Sequence, residues 1–120
     1  MYVSWPIIMA FFNVALFSEE EKAVFNAVYS GDLERLKVLL ETREDKNPVV
    51  YVDNSGVGFS VLDVAAYYGH VNIIKWYQET LHFDDINPLN SIGTYTPMMF
   101  AAQQGQLNVV KYYIEVVKGG

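Results

Sequence analysis

The stretch AAYYGHVNIIKWYQE (65–79) is written again, with changes, as AAQQGQLNVVKYYIE (101–115) and more loosely as AVYSGDLERLKVLLE (27–41). The glycines that align the copies, Gly31, Gly69 and Gly105, stand 38 and 36 residues apart. A period of this size marks stacked structural units rather than one irregular topology. In each copy a pair of small or apolar residues comes first, then two variable residues, then glycine, then an amphipathic run. Small residues let helices approach closely, and glycine suits the left-handed turn between them. Leu33, Leu36, Leu39 and Leu40 fall on one face of the first run, and Val71, Ile74 and Tyr77 fall on one face of the second. Each copy therefore predicts a helix, a tight turn and a second helix.

The rest of the chain bounds what such a unit can do. One hundred and twenty residues suit a single domain with a core of its own. About half of them are apolar and only 18% are charged, which predicts a folded chain. The net charge of −6, with no run of Lys or Arg, excludes nucleic acid as a partner, because phosphate binding needs clustered basic groups. Cysteine is absent, so the chain has no disulfide framework, thiolate metal site or cysteine nucleophile. That composition suits a reducing compartment, and a cytoplasmic location is the expectation.

With the copies extended to their neighbours, GFSVLDVAAYYGHVNIIKWYQE and TYTPMMFAAQQGQLNVVKYYIE resemble ankyrin repeats. Thr96-Pro97-Met98-Met99 occupies the helix-opening tetrapeptide of that family, and Ser60-Val61-Leu62-Asp63 occupies it one copy earlier. Ser60 and Thr96 can cap their helices, and Pro97 suits a first helical position. The first copy lacks the tetrapeptide, and Ser18-Glu19-Glu20-Glu21 supplies a capping-box start in its place. The resemblance spans roughly residues 19–118. It implies an all-α solenoid of stacked helix-turn-helix repeats with long connecting loops, in a domain covering 18–120. Two departures bear on the loops. Asp63 and Met99 stand where the family places a loop-bracing histidine; an aspartate can still accept backbone hydrogen bonds, whereas a methionine cannot. The connections 42–58 and 80–93 also exceed the usual repeat length. Extra length of this kind collects on one face of a solenoid, often the binding face. His70 follows its glycine at the family's usual place for a structural histidine.

Residues 1–17, MYVSWPIIMAFFNVALF, carry no charged side chain. A secretory signal wants a basic start, which is missing. A membrane span wants basic flanks and a longer apolar run, whereas this segment contains Pro6 and Asn13 and runs into three glutamates. The expectation is an apolar helix capping the bare side of the first repeat, with Trp5, Ile8, Met9, Phe12, Ala15 and Leu16 at helical spacing. Secretion or membrane anchoring would follow only from the other two readings.

Catalytic and metal chemistry find little support. His82, Asp84 and Asp85 lie close together, as acidic surface loops often do, and no metal or cofactor is expected. NSGVGFS lacks the lysine and the strand-to-helix setting of a phosphate loop. No serine and histidine stand in an arrangement that activates a nucleophile, so no enzymatic activity is expected.

The repeats therefore read as a scaffold, and function belongs where the copies differ. The resemblance implies a concave face, built from loop tips and first helices, that holds a protein or peptide. Position by position this face takes Tyr29 and Ser30 from the first copy, and Asn54, Ser55, Phe59, Tyr67 and Tyr68 from the second. The third copy supplies Ser91, Ile92, Tyr95, Gln103 and Gln104. The strip carries no formal charge and is rich in aromatics, which are enriched at interface hot spots; some of its tyrosines have packing on the adjacent loop as the alternative. A different class of reading is a structural or assembly role, in which the apolar first segment joins a membrane or a second copy. The last helix is apolar on more than one side, which predicts an open stripe through Tyr112, Tyr113, Val116 and Val117. That stripe implies either a homodimer or continuation into further repeats.

Overall fold

The computed structural model describes residues 18–90 and 93–119, so the readings of residues 1–17 and of Ser91 and Ile92 lie outside it. Among the described residues six helices and one hairpin follow in order. They are α1 (Glu19–Ser30), α2 (Leu33–Leu40), β1 (Val49–Val52), β2 (Gly58–Ser60), α3 (Val61–Tyr67), α4 (Val71–Glu79), α5 (Pro97–Gln103) and α6 (Leu107–Gly119). The helices form three pairs turning at Gly31, Gly69 and Gly105, each in the left-handed conformation. In the layer of first helices α3 packs between α1 and α5, and α4 packs on α6 behind it. Val24, Val28, Leu36, Leu40, Leu62, Ile73, Ile74 and Val109 are fully buried and make one continuous core across the repeats.

The expected helix starts are present. Ser18 and Glu21 exchange the two bonds of a capping box at α1, with Glu21 N–H donating to Ser18 Oγ at 3.2 Å. Ser60 and Asp63 form the same box at α3, and Thr96 caps α5 ahead of Pro97. Capping alone satisfies one amide of a helix start, yet the first amides of α3 are all paired. Val61 N–H donates to the Pro48 carbonyl (3.2 Å), Leu62 N–H to Asn47 Oδ1 (2.9 Å) and Asp63 N–H to Ser60 Oγ (3.3 Å). At α5 Pro97 has no N–H, Met98 N–H donates to Asn87 Oδ1 (2.9 Å) and Met99 N–H to Thr96 Oγ1 (3.3 Å). In both helices an asparagine of the preceding loop closes the second amide.

Those asparagines belong to a second repeated word, Asp45-Lys46-Asn47-Pro48 and Asp85-Ile86-Asn87-Pro88. In both, the aspartate Oδ1 accepts the asparagine N–H, at 3.0 and 2.9 Å. In both, the residue between them offers its carbonyl to a buried tyrosine. Tyr77 Oη donates to Lys46, and Tyr113 Oη donates to Ile86 at 2.6 Å. Tyr113 is thus completely buried, which corrects its expected place on an open stripe of the last helix. Burial pushes both phenols well above their ordinary range, so they remain donors.

Side chains after the turn glycines tie each repeat to the one before. His70 Nε2 donates to the Tyr29 carbonyl (2.8 Å), and Gln106 Nε2 donates to the Tyr67 carbonyl (3.1 Å). A carbonyl only accepts, so His70 carries its proton on Nε2. Two residues further on, Asn72 and Asn108 donate to the carbonyls of Gly31 and Gly69, at 3.4 and 3.1 Å. A Cβ added to Gly69 would stand 2.5 Å from Gln106 Oε1, whereas one on Gly105 would meet no described atom within 4 Å. Both glycines have positive φ, so alanine at either incurs left-handed strain of about 1–2 kcal/mol. Gly69→Ala also disrupts the rung above it. Denaturant unfolding should find it roughly 1 kcal/mol more destabilising than Gly105→Ala. Equal losses would show that these rungs contribute nothing.

Asp63 accepts the Ser60 N–H through Oδ2 (3.0 Å), while its buried Oδ1 has no partner among the described residues. Burial pushes its carboxyl up to about 6, against the pull of the Ser60 hydrogen bonds. The folded chain then keeps a proton that the unfolded chain releases near pH 3.8. This group's stabilisation is complete below that pH and is lost as pH rises to about 6, by about 3 kcal/mol in all. Asp63→Asn should flatten the stability profile between pH 4 and 6. An unchanged slope would assign the titration to another group.

Candidate functional site

The connection 42–58, expected as a loop, carries the first strand and the turn of an antiparallel hairpin whose second strand is Gly58–Ser60. Val49-Val50-Tyr51-Val52 favours a strand, and Asp53-Asn54-Ser55-Gly56 turns it. Asp53 Oδ1 accepts three hydrogen bonds, from Ser55 N–H (2.9 Å), Ser55 Oγ (2.7 Å) and Val57 N–H (2.9 Å). Desolvation alone would raise this carboxyl, but the bonds from Ser55, Val57 and Gly56 outweigh it and hold it below the ordinary range. Asp53 is therefore an anion at neutral pH. The pairing is irregular at Val50, and beyond that point Tyr51 stands directly opposite Phe59.

That register closes a ring of rings. From Phe25 of α1 the centroid separations run 5.7 Å to Tyr51, 5.6 Å to Phe59, 6.4 Å to Tyr67 and 4.9 Å to Tyr68. They continue 4.7 Å to Tyr29 and 5.9 Å back to Phe25. Neighbouring planes are inclined by 37° to 82° along the five that start at Phe25 and end at Tyr68. Phe25, Tyr51, Phe59, Tyr67 and Tyr68, together with Val64 and Asp53, line a cleft of about 220 Å³. Burial and the Asp53 charge push the Tyr51 phenol up to about 12, and burial raises Tyr68. From Phe59 the aromatics continue into the third repeat, 4.8 Å to Phe100 and 5.4 Å on to Tyr95.

Most of the residues read from the sequence can be placed around this group. Tyr29 is 44% exposed, whereas Phe59, Tyr67 and Tyr68 are half-buried and packed in sequence on one another, and the half-buried Tyr95 packs on Phe100. Asn54 and Ser55 are exposed at the hairpin tip, where Ser55 holds the turn. Ser30 bonds the carbonyls of its own helix. Gln103 and Gln104 are exposed at the end of α5. Asp53, which is not one of the strip residues, adds a negative charge to the lining of the cleft beside them. Phe25, Tyr51, Asp53 and Phe100 were missed by residue-by-residue mapping. The alternation around Tyr51 and Phe59, on either side of an Asp-Asn-Ser-Gly turn, is the signal that would have found the hairpin and its pair.

On the last helix Tyr112 is half-buried, with Lys75 Nζ 5.7 Å above its ring, and Val116 packs on the core. The side chain of Val117 lies outside what is described. The apolar side chains that stand open there are Leu107, 77% exposed, and Ile114, with Met99 of α5 nearby in sequence order. His82, Asp84 and Asp85 are exposed, and among the described residues no group of three or more acids and histidines is placed to hold a metal ion. No helix among those residues is long and apolar enough to cross a membrane.

A family model described as ankyrin repeats in three copies matches residues 24–119. The chain belongs to the ankyrin-repeat family. Comparison with curated proteins finds no match. Ankyrin repeats in general are protein–protein interaction modules, and domains built of them are typically non-enzymatic. In this ankyrin domain the tetrapeptide positions Ser60–Asp63 and Thr96–Met99 do open α3 and α5, as the family pattern implies.

Proposed function

We propose that this domain is a non-enzymatic interaction module. It holds a partner protein or peptide on the strip formed by Tyr29, Tyr68, Tyr67, Phe59 and Tyr95, with Asn54, Ser55, Gln103 and Gln104 at its margins. The observation that carries the reading is the continuity of the strip. One run of aromatic rings passes through all three repeats, joined from Phe59 to Tyr95 by the buried Phe100, and two of its members, Tyr68 and Phe100, have no aromatic counterpart in the other copies. Aromatics give large contact area for little lost side-chain freedom. Tyr67→Ala combined with Tyr95→Ala should leave the far-ultraviolet circular dichroism intact. It should weaken capture of the partner from native extract by about 30-fold, or about 2 kcal/mol. A folded double variant with full affinity would sink this reading.

A second reading is favoured by the end face of the third repeat. Met99, Leu107 and Ile114 are exposed, and among the described residues no side chain covers Gly105 as His70 covers Gly31 and Gln106 covers Gly69. This face joins a second copy in an assembly role, through Leu107 and Ile114 rather than the buried Tyr113. Sedimentation at micromolar concentration should show a dimer that Leu107→Lys with Ile114→Lys converts to monomer. A wild-type chain that is monomeric throughout that range refutes it.

A further inference from the structure

We propose that the cleft bounded by Phe25, Tyr51, Phe59, Tyr67 and Tyr68 is a binding site for an N-methylated ammonium group, carried by a methylated lysine of the partner. The inference rests on the strip being the partner-binding surface and names what that surface reads. Three features of the site argue for it. The first is size. At about 220 Å³ the cleft is below the roughly 300–1,000 Å³ that accommodates a drug-sized ligand, so it suits the head of one side chain.

The second is the shape of the walls. Two parallel rings would make a slot for a planar guanidinium. Here consecutive rings are turned 37°, 52°, 82° and 60° to one another, so they surround a volume rather than sandwich a plane. A tetrahedral ammonium bearing methyl groups meets π-density on several sides in such a box, and aromatic faces attract cations. A bare ammonium is strongly hydrated and loses more on leaving water.

The third is charge. Asp53 lines the cleft, and hydrogen bonds from Ser55 and Val57 to its Oδ1 hold it there as an anion, a counter-charge for a cation. Among the described residues the cation–π contact recorded, Lys75 over Tyr112, lies elsewhere on the molecule. The carboxylate also opposes a choline headgroup, whose phosphate would approach it. A lysine side chain brings no such anion.

The test is a titration of the intact chain, followed by the ring-proton resonances of its tyrosines and phenylalanines. The ligands are short glycine-flanked peptides bearing trimethyllysine, unmodified lysine, or the uncharged tert-butyl analogue of trimethyllysine. Trimethyllysine should bind saturably and at least about tenfold more tightly than either of the others. Asp53→Asn keeps an Oδ1 acceptor for the hairpin turn and should weaken trimethyllysine roughly threefold or more, without weakening the neutral analogue. Phe59→Leu retains apolar bulk and should lower the preference for the charged ligand over the neutral one. Equal affinity for the neutral analogue, or no saturable binding of trimethyllysine, would overturn the proposal. So would preferential binding of phosphatidylcholine vesicles. Loss of these responses with partner capture still dependent on Tyr95 would remove the cation site alone; a cation response with Tyr95-independent capture would remove the strip alone.

Discussion

α3 and α5 are seven residues long, so the amides that any helix leaves unpaired at its start are at least half of their backbone donors. Helices this short hold together only if something outside them closes those groups. Asn47 and Asn87 do so, from turns that aspartates keep rigid. The same turns receive the phenols of Tyr77 and Tyr113 from the outer helices. Each turn therefore joins the start of an inner helix to the flank of an outer one. The positions of Tyr67, Tyr68 and Phe100, and with them the aromatic strip, follow from that three-way junction.

The helix pairs, their caps and their family were legible because they depend on local spacing. Gly31, Gly69 and Gly105 mark the turns, and Ser18, Ser60 and Thr96 mark the starts. Tyr113 was misplaced because the last helix is apolar on several sides, so hydrophobic periodicity alone does not choose its inner face. The repeat does choose it. Tyr113 stands at the place of Tyr77, and a position buried in one copy by a hydrogen bond to the loop is buried in the next by the same bond. The asparagine turns escaped notice because their spacing of 40 residues differs from the 36 of the glycines that follow. The connection between Pro48 and Ser60 is longer than that between Pro88 and Thr96, and an alignment anchored on glycine slides past it.

Of the site, the tyrosines of the inner helices were readable and the enclosure was not. Tyr67 and Tyr68 alone are two half-buried rings on one helix. What makes them walls is Tyr51, brought opposite Phe59 by a pairing irregularity at Val50, and Phe25 from the repeat before. Contacts of that kind join residues far apart in the chain, and no local pattern announces them. Asp53 was hidden for a related reason. In the sequence it is one of several acids in a polar loop, and only the folded turn sets it beside aromatic side chains.

Both connections are anchored at each end, by the Asn-Pro turn on one side and by the Ser60 or Thr96 cap on the other. Twelve positions separate Pro48 from Ser60, and eight separate Pro88 from Thr96. The stack accepts both lengths because neither anchor lies within the variable stretch. Each of these stretches is thus a replaceable cassette. Added length there would leave the asparagine, the cap and the buried tyrosine outside the altered stretch, and loop-closure entropy rises only slowly with it.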